Sequence, residues 1–403
     1  MAGTTLRADG TGLGLHAPAI AIGAPGLVAT GTGLWLARSA PRRALGVLLA
    51  IGGAAAMGAA LLVDRHRAAA HSDSTTADQP NPDPAAPAPT EAPTRPAADE
   101  PRPSVRIAQL NAHNFFDTTD GYGSDTILTP QQYEIKLGKL GLAIRDAMHA
   151  PDVIAMQEVE NIGVLQDLAA RPELARYGYR PLLVDGTDPR GIDVGYLYRP
   201  DRVELVSSEA RGTTRVSASG RNVQLFTRPP LVATFRVRSD GAAGADDARA
   251  GASFTLINNH FTSKLQGSDG EEKRRLQSAW VSHLASGDAG VADLDPARVI
   301  VLGDLNAGLD EDAYLSLLGD DPEAAPRFVN AAEHVPLEDR YSYRDGSRRS
   351  LLDHVLLTPA LDAAVQGVEI LHINSDPSPR LEDDPTTYQR VSDHDPVIVT
   401  LQP

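Results

Sequence analysis

The sequence has no cysteine in its 403 residues, which excludes disulfides, thiolate nucleophiles and cysteine-held zinc or iron–sulfur sites. It is also short of positive charge. Lys and Arg number 37 against 53 Asp and Glu, a formal net charge of -16, so no global positive field gathers polyanions. Holding a polyanionic substrate would fall to local arginines and lysines or to metal ions. No Gly-x-Ser-x-Gly elbow and no phosphate-cradling P-loop occurs, which removes the common acyl hydrolases and P-loop nucleotide hydrolases. What remains is ample core material, 42% hydrophobic residues, in a length that suits one large domain or two ordinary ones.

The first hundred residues differ from the rest. "ALGVLLAIGGAAAMGAALLV", Ala44 to Val63, carries no charge and is long enough to cross a bilayer as a helix. Ala17 to Ala37 is also uncharged, but Pro18, Pro25 and several glycines make it a poorer helix. Arg38, Arg42 and Arg43 lie between the two runs, so either one span or a hairpin of two places the remainder outside the cell. Residues 1–70 therefore read as a membrane anchor or signal region, giving a protein tethered to the cell membrane or secreted. His71 to Pro103 holds nine prolines among Ala, Thr and Asp, a composition that predicts a disordered, semi-stiff linker.

Residues 104–403 read as one catalytic-sized domain. Short apolar runs recur, among them "VRIAQL", "DVIAMQ", "DVGYLY", "LVATFRV", "FTLIN", "RVIVLGD", "DHVLLT" and "PVIVTL", most rich in Val, Ile and Leu and bounded by turn residues, as buried strands are. Tyr133, Leu137, Leu140, Ile144 and Ala147 form a helical stripe, and Leu276, Trp280 and Leu284 suggest another. "SDGAAGADDARAG" reads as a hairpin loop. Strands first, middle and last with few helices between favour an α/β sandwich of mixed sheets over a regular βαβ repeat.

Six of these strands deliver a polar group at one end. They are Asn111 after "VRIAQL", Glu158 in "QEVEN", His260 in "NNHFTSK", Asp304 and Asn306 in "GDLNAG", Asp353 in "LLDHVLL", and Asp393 and His394 in "SDHDPV". Any one is ordinary as a turn or cap. Together they suit one chemistry. Hard oxygen ligands such as Glu158 and Asp393, without cysteine, fit Mg2+ or Mn2+. Asp304 with His394 and Asn306 is a set able to activate water and stabilise charge on a phosphoryl group, and His260 is able to hold a phosphate oxygen.

In this order and spacing the motifs resemble the endonuclease/exonuclease/phosphatase superfamily, and "NFFDT", "QEVEN", "RPPLVATF" and "NNHFTSK" look like its secreted or surface bacterial nuclease branch. The resemblance covers about Val105 to Leu401. It implies a four-layer sandwich, two mixed β-sheets face to face with helices outside and the active site at one end. It also implies that Asn111, Glu158 and Asp393 serve the metal, His260 binds phosphate, and Asp304 activates water with Asn306 as partner. Asp353 would orient His394, and His394 would contact the scissile phosphate. Arg228, Asn259 and Lys264 are candidates to meet substrate. Asp193 sits either near the site or in a salt bridge with Arg190, and Asp395 is expected to be structural. No counterpart is evident for the tyrosine that assists phosphate binding in the DNA-repair branch. The expected function is a metal-dependent phosphodiester hydrolase, a monomeric nuclease acting on nucleic acid. The alternatives are a phospholipid or inositol-phosphate phosphoesterase and a catalytically silent surface binding module.

Overall fold

The computed structural model describes residues 103–121, 126–212, 214–218, 220–238, 251–319 and 327–403. The apolar runs Ala17 to Ala37 and Ala44 to Val63 and nearly all of the proline-rich linker lie outside them, as does most of "SDGAAGADDARAG". No helix among the described residues is long and apolar enough to cross a membrane.

The chain runs through β1 (Val105–Phe115), α1 (Pro130–Leu142), β2 (Val153–Val159), α2 (Ile162–Ala170), β3 (Arg180–Leu183), β4 (Asp193–Tyr198) and β5 (Val203–Ala210). A small hairpin follows, β6 (Arg215–Ala218) with β7 (Arg221–Gln224), then β8 (Leu231–Val237), β9 (Ser253–His260), α3 (Gly267–Ala285), β10 (Val299–Asp304) and α4 (Asp312–Leu318). The remainder is β11 (Val329–Asn330), the hairpin β12 (Tyr343–Asp345) and β13 (Arg348–Ser350), β14 (Asp353–Leu357), α5 (Pro359–Asp362), β15 (Val365–Ile370) and β16 (Val397–Leu401).

Two six-stranded sheets result, ordered β15-β16-β1-β2-β4-β3 and β11-β14-β10-β9-β8-β5. Both are mixed. In the first only β1 and β2 run parallel, and in the second only β9 and β10 do. All eight runs read as strands are strands, and β8 and β9 pair antiparallel on either side of the expected hairpin loop.

Strand alternation sorts the side chains into layers. Val105, Ile107, Val153, Ala155, Leu256, Ile300, Leu302, Val355 and Leu357 fill the space between the sheets. On the outer face of the first sheet Leu110, Ile154 and Met156 pack against Tyr133, Leu137 and Leu140 of α1 and Leu165 and Leu168 of α2. Outside the second, Ile257, Val301 and Leu356 meet Val281 and Leu284 of α3 and Tyr314 and Leu317 of α4. Helix, sheet, sheet, helix makes four layers.

Helix α1 begins at a capping box, Thr129 with Gln132, and has Pro130 in its first turn, where a missing N–H costs nothing. Helix α3 departs from its expected stripe. Leu276 and Trp280 are half-buried, and the face turned inward carries Arg274, Gln277 and Ser278 beside Val281 and Leu284. Gln277 accepts from Thr262 N at 2.9 Å and donates to Leu225 O at 2.9 Å, so this face clamps the segment after β9 rather than only filling space.

Candidate active site

The polar groups collect at one end of the inter-sheet space because alternation carries them there. Two residues beyond Ile107 comes Gln109, then Asn111; beyond Leu256 come Asn258 and His260; beyond Leu302 comes Asp304; ahead of Val355 stands Asp353. Glu158 breaks the alternation. Gln157 already points inward, so a regular strand would send Glu158 to the helix side. A left-handed residue at Glu158 (φ 56) with a register shift between Gln157 and Val159 re-aims the carboxylate inward, which is what β-bulges beside sites do. Gly303 has φ 124, and a Cβ there would lie 2.0 Å from Asn259 O, so β10 approaches β9 this closely only with glycine before Asp304.

Asp353 and His394 are joined. His394 Nδ1 donates to Asp353 Oδ2 at 2.7 Å, and Asp353 also accepts from Ser342 Oγ and from Gln109 Nε2, both at 2.6 Å. Both residues are buried. Burial opposes a charge on His394, but Asp353 and Asp304 outweigh it and hold the imidazole well above its usual range, so it stays protonated at neutral pH. Gln109 continues the chain to Gln157 at 2.9 Å, and Gln157 to Asn258 at 2.7 Å, a row of amides crossing from sheet to sheet.

Asp304 is aligned on the other flank. Its Oδ2 accepts from Asn111 Nδ2 at 3.1 Å and Asn306 Nδ2 at 3.2 Å, and its Oδ1 from Asn306 N at 2.8 Å. Burial pushes its carboxyl up to about 7, with the charge on His394 opposing and Asp353 assisting. His260 Nε2 stands 3.6 Å from Asp304 Oδ2 and 3.8 Å from Glu158 Oε1. Burial first, then Arg228 and Arg190, drive the His260 pKa well below its usual value. It is a neutral imidazole.

A compact carboxylate–histidine group, Asp304, Asp353 and His394, has the spacing of a metal site. The hydrogen bonds argue otherwise. His394 is protonated and spends Nδ1 on Asp353, and an imidazolium has no free lone pair with which to ligate a metal. The better fit for a hard divalent cation is Glu158, a half-buried carboxylate turned toward a neutral imidazole, with Asp304 beside it. Asp393 stands at the rim, its Oδ1 3.8 Å from His113 Nδ1. Asn111 Oδ1 accepts from His113 N at 2.9 Å while its Nδ2 donates to Asp304, so it orders the pocket wall.

The remaining candidates divide. Asn259 does not face the site. It lies one residue from Asn258 and His260, so its side chain turns to the opposite face, where Nδ2 donates to Ile257 O and Leu302 O at full burial. Arg228 is buried behind His260, donating to Asp188 Oδ2 at 2.8 Å and Phe261 O at 3.2 Å, a fixed positive charge rather than a free guanidinium. Lys264 pairs with Glu311 at the surface. Asp193 is not paired with Arg190, whose carboxylate neighbour is Asp188 at 3.9 Å; it accepts from Gly186 N at 2.9 Å and is pushed up to about 7 by burial. Asp395 is structural, accepting from Asn374 N at 2.8 Å, Ser375 N at 2.9 Å and Ser375 Oγ. Tyr343 was missed. Its strand bridges to His394 and its ring lies 4.9 Å from the imidazole, which no motif announces.

Two facing mixed sheets with a buried acid–base group where their strands end define a phosphoesterase-type hydrolase fold. The chain belongs to the Endonuclease/Exonuclease/phosphatase family, whose model matches residues 106–371. That match stops short of the segment bearing Asp393 and His394. Among solved structures, an endonuclease/exonuclease/phosphatase protein from Bacteroides vulgatus is 20% identical over 74% of this chain and 98% of its own (TM-score 0.48). The human nocturnin catalytic domain, with bound sulfate, is 16% identical over 74% and 94% (0.46). A mannosyl-6-phosphatase from Bacteroides thetaiotaomicron is 17% identical over 73% and 98% (0.46). No curated protein matches.

Proposed function

We propose that the protein is a divalent-metal-dependent phosphodiesterase, a nuclease whose catalytic domain, residues 104–403, is displayed outside the cell by residues 1–70 through the linker 71–103. The observation that carries the chemistry is the arrangement of His394, held on Asp353 at 2.7 Å, beside Asp304, held by Asn111 and Asn306, with ligand atoms of all three acid–base groups within 4.8 Å of one another. His394 is held protonated against Asp353, while Asp304 is a base tuned to about 7. A general base works best near the ambient pH, and an imidazolium beside it meets the charge that grows on a phosphoryl oxygen.

In this reading the phosphate lies between His260 and His394. Asp304, fixed by Asn111 and Asn306, takes one proton from the attacking water as the new P–O bond forms and the bond to the leaving oxygen breaks. His260 presents Nε2 to a phosphate oxygen, and its neutrality leaves Asp304 free to act as a base. Glu158 would hold Mg2+ or Mn2+, with Asp393 at the rim and Asn111 ordering the wall; when bound, the cation supplies positive charge at the phosphoryl oxygens. The apolar run and its arginines support the membrane tether. The test is hydrolysis by the full-length protein of plasmid DNA, RNA, sphingomyelin and inositol phosphates, with and without Mg2+. Nucleic-acid cleavage that needs the metal is expected. Turnover confined to the lipid or inositol substrates would replace the nuclease reading, and no turnover of any would leave a binding module.

A further inference from the structure

Helix α1 packs on the outside of the first sheet, yet it buries an ammonium. Lys139 is 1% exposed, and its Nζ meets four backbone carbonyls, Leu381 at 2.6 Å, Asp384 and Thr387 at 3.0 Å, and Gln389 at 2.8 Å. An ammonium has three protons, so four acceptors surround it as oxygens surround a small bound cation, not as a carboxylate meets a lysine. One turn earlier Lys136 Nζ donates to Val391 O at 2.6 Å and His113 O at 3.1 Å. The two lysines thus grip one segment, the long connection from β15 to β16, at four places between Leu381 and Gln389 and again at Val391.

That connection carries Asp393 and His394. Apart from a single turn at Pro379–Leu381 it has no regular structure of its own, and residues 381–390 are half-buried or exposed. Tyr388 and Val391 pack against the core beneath α1, but the carbonyls of Leu381, Asp384, Thr387 and Gln389 converge on one point and would repel one another without a donor among them. From the grip the chain reaches the imidazole in short steps. Ser392 Oγ donates to Asn111 O at 2.7 Å and accepts from His394 N at 3.0 Å, and Asn374 Nδ2 donates to His394 O at 2.6 Å.

We propose that Lys139, with Lys136 beside it, is a positioning residue, a built-in monovalent cation that folds the 381–391 segment and thereby sets where His394 stands against Asp353 and the substrate. The inference rests on the phosphoesterase reading of His394. Misplacement of a reacting group by about 1 Å costs about 10²-fold in rate. Substrate binding elsewhere in the site is untouched, so the loss falls on kcat.

The experiment uses full-length wild type, Lys139→Met and Lys139→Ala with bis(p-nitrophenyl) phosphate and Mg2+, together with hydrogen exchange over residues 381–395. Lys139→Met, which keeps the stem but not the charge, is expected to lose roughly 10- to 100-fold in kcat with KM within about twofold. Its loop amides are expected to exchange faster. Propylammonium should restore both rate and protection to Lys139→Ala, whereas tetramethylammonium, which has no proton to donate, should not. Wild-type kcat and exchange in Lys139→Met would overturn the proposal, as would equal rescue by both cations. So would a Lys139→Ala protein that stays unfolded with propylammonium present. An inactive wild type would sink the phosphoesterase reading instead, and the exchange data would then judge the clamp alone.

Discussion

The space between the two sheets has two ends built on the same strands. At one, Val105, Ile107, Val153, Leu256, Ile300 and Leu357 pack side chain to side chain; at the other, Gln109, Gln157, Asn258, Asp304 and Asp353 stand at equal burial. The apolar end stabilises by removing hydrocarbon from water, about 25 cal/mol per Å². The polar end gains little that way, because each amide or carboxylate left unpaired in the interior costs about 1–3 kcal/mol. Its solution is a continuous chain of hydrogen bonds from Asp353 through Gln109 and Gln157 to Asn258. One end specifies that the sheets face each other. The other specifies the orientation of the carboxylates and imidazole of the candidate site, and the same two-residue spacing along the strands serves both.

The contrast is broken most sharply at the polar end. Chelation of divalent cations should abolish turnover and Mg2+ or Mn2+ restore it, while the unfolding midpoint moves little; full activity in chelator would remove the metal from the mechanism. Asp353→Asn should lower kcat by roughly 10²–10⁴-fold. Because the new amide would face the donors of Gln109 and Ser342, it should also cost about 1–3 kcal/mol of stability, read by urea unfolding. His394→Ala should be comparably damaging, and the double variant little worse than either, since the two act as a unit. Multiplying losses would mean that the pair is not coupled.

At the apolar end, Leu302→Ala lies two residues from Asp304. It should cost about 2–5 kcal/mol of stability yet leave kcat per folded molecule unchanged, a result that would show the two ends to be separable. A pH profile sharpens the distinction within the site. Asp304 must be ionised to act as a base and its carboxyl sits at about 7, so kcat should fall about tenfold per pH unit below that point and level off above it. Raising the Mg2+ concentration should move this limb to lower pH, because a nearby cation favours the carboxylate. The smallest effect is expected from Gln157→Leu, which unpairs Gln109 and Asn258 in the amide row. A loss of about 1–3 kcal/mol, with only a few-fold change in kcat, would place the row's role in holding Asp353 rather than in chemistry.

Much of this was legible in the chain. The strands buried on both faces were, because continuous Val, Ile and Leu runs have no other use at that length. Half-exposed strands such as β5 and β15 were not, since their alternation with Glu, Ser and Gln resembles a loop. The site's carboxylates and imidazoles announced themselves by standing at strand ends. Gln109 and Ser342 did not, because their value lies in partners more than two hundred and about ten residues away respectively. Asn259 was misassigned because one residue of parity separates the site face from the helix face. His354 illustrates the same rule. Adjacent to Asp353, it faces outward, accepts from Asn330 at 3.0 Å and donates to Ala307 O at 2.8 Å, and burial holds it down at about 4. Lys139 carried no signal, since a lysine on an amphipathic helix reads as solvated until its carbonyls are seen.

Strand β1 lies between β16 and β2, and its pairing of Val105 with Leu401 joins the first described strand to the last. During synthesis β1 waits with one edge open until β16 emerges, and contacts this distant in sequence form slowly. Asp393 and His394 arrive with that final strand. Asp304 and Asp353 therefore stand without their histidine until that strand is in place, so the connectivity of the sheet makes the candidate site the last part of the fold to be completed.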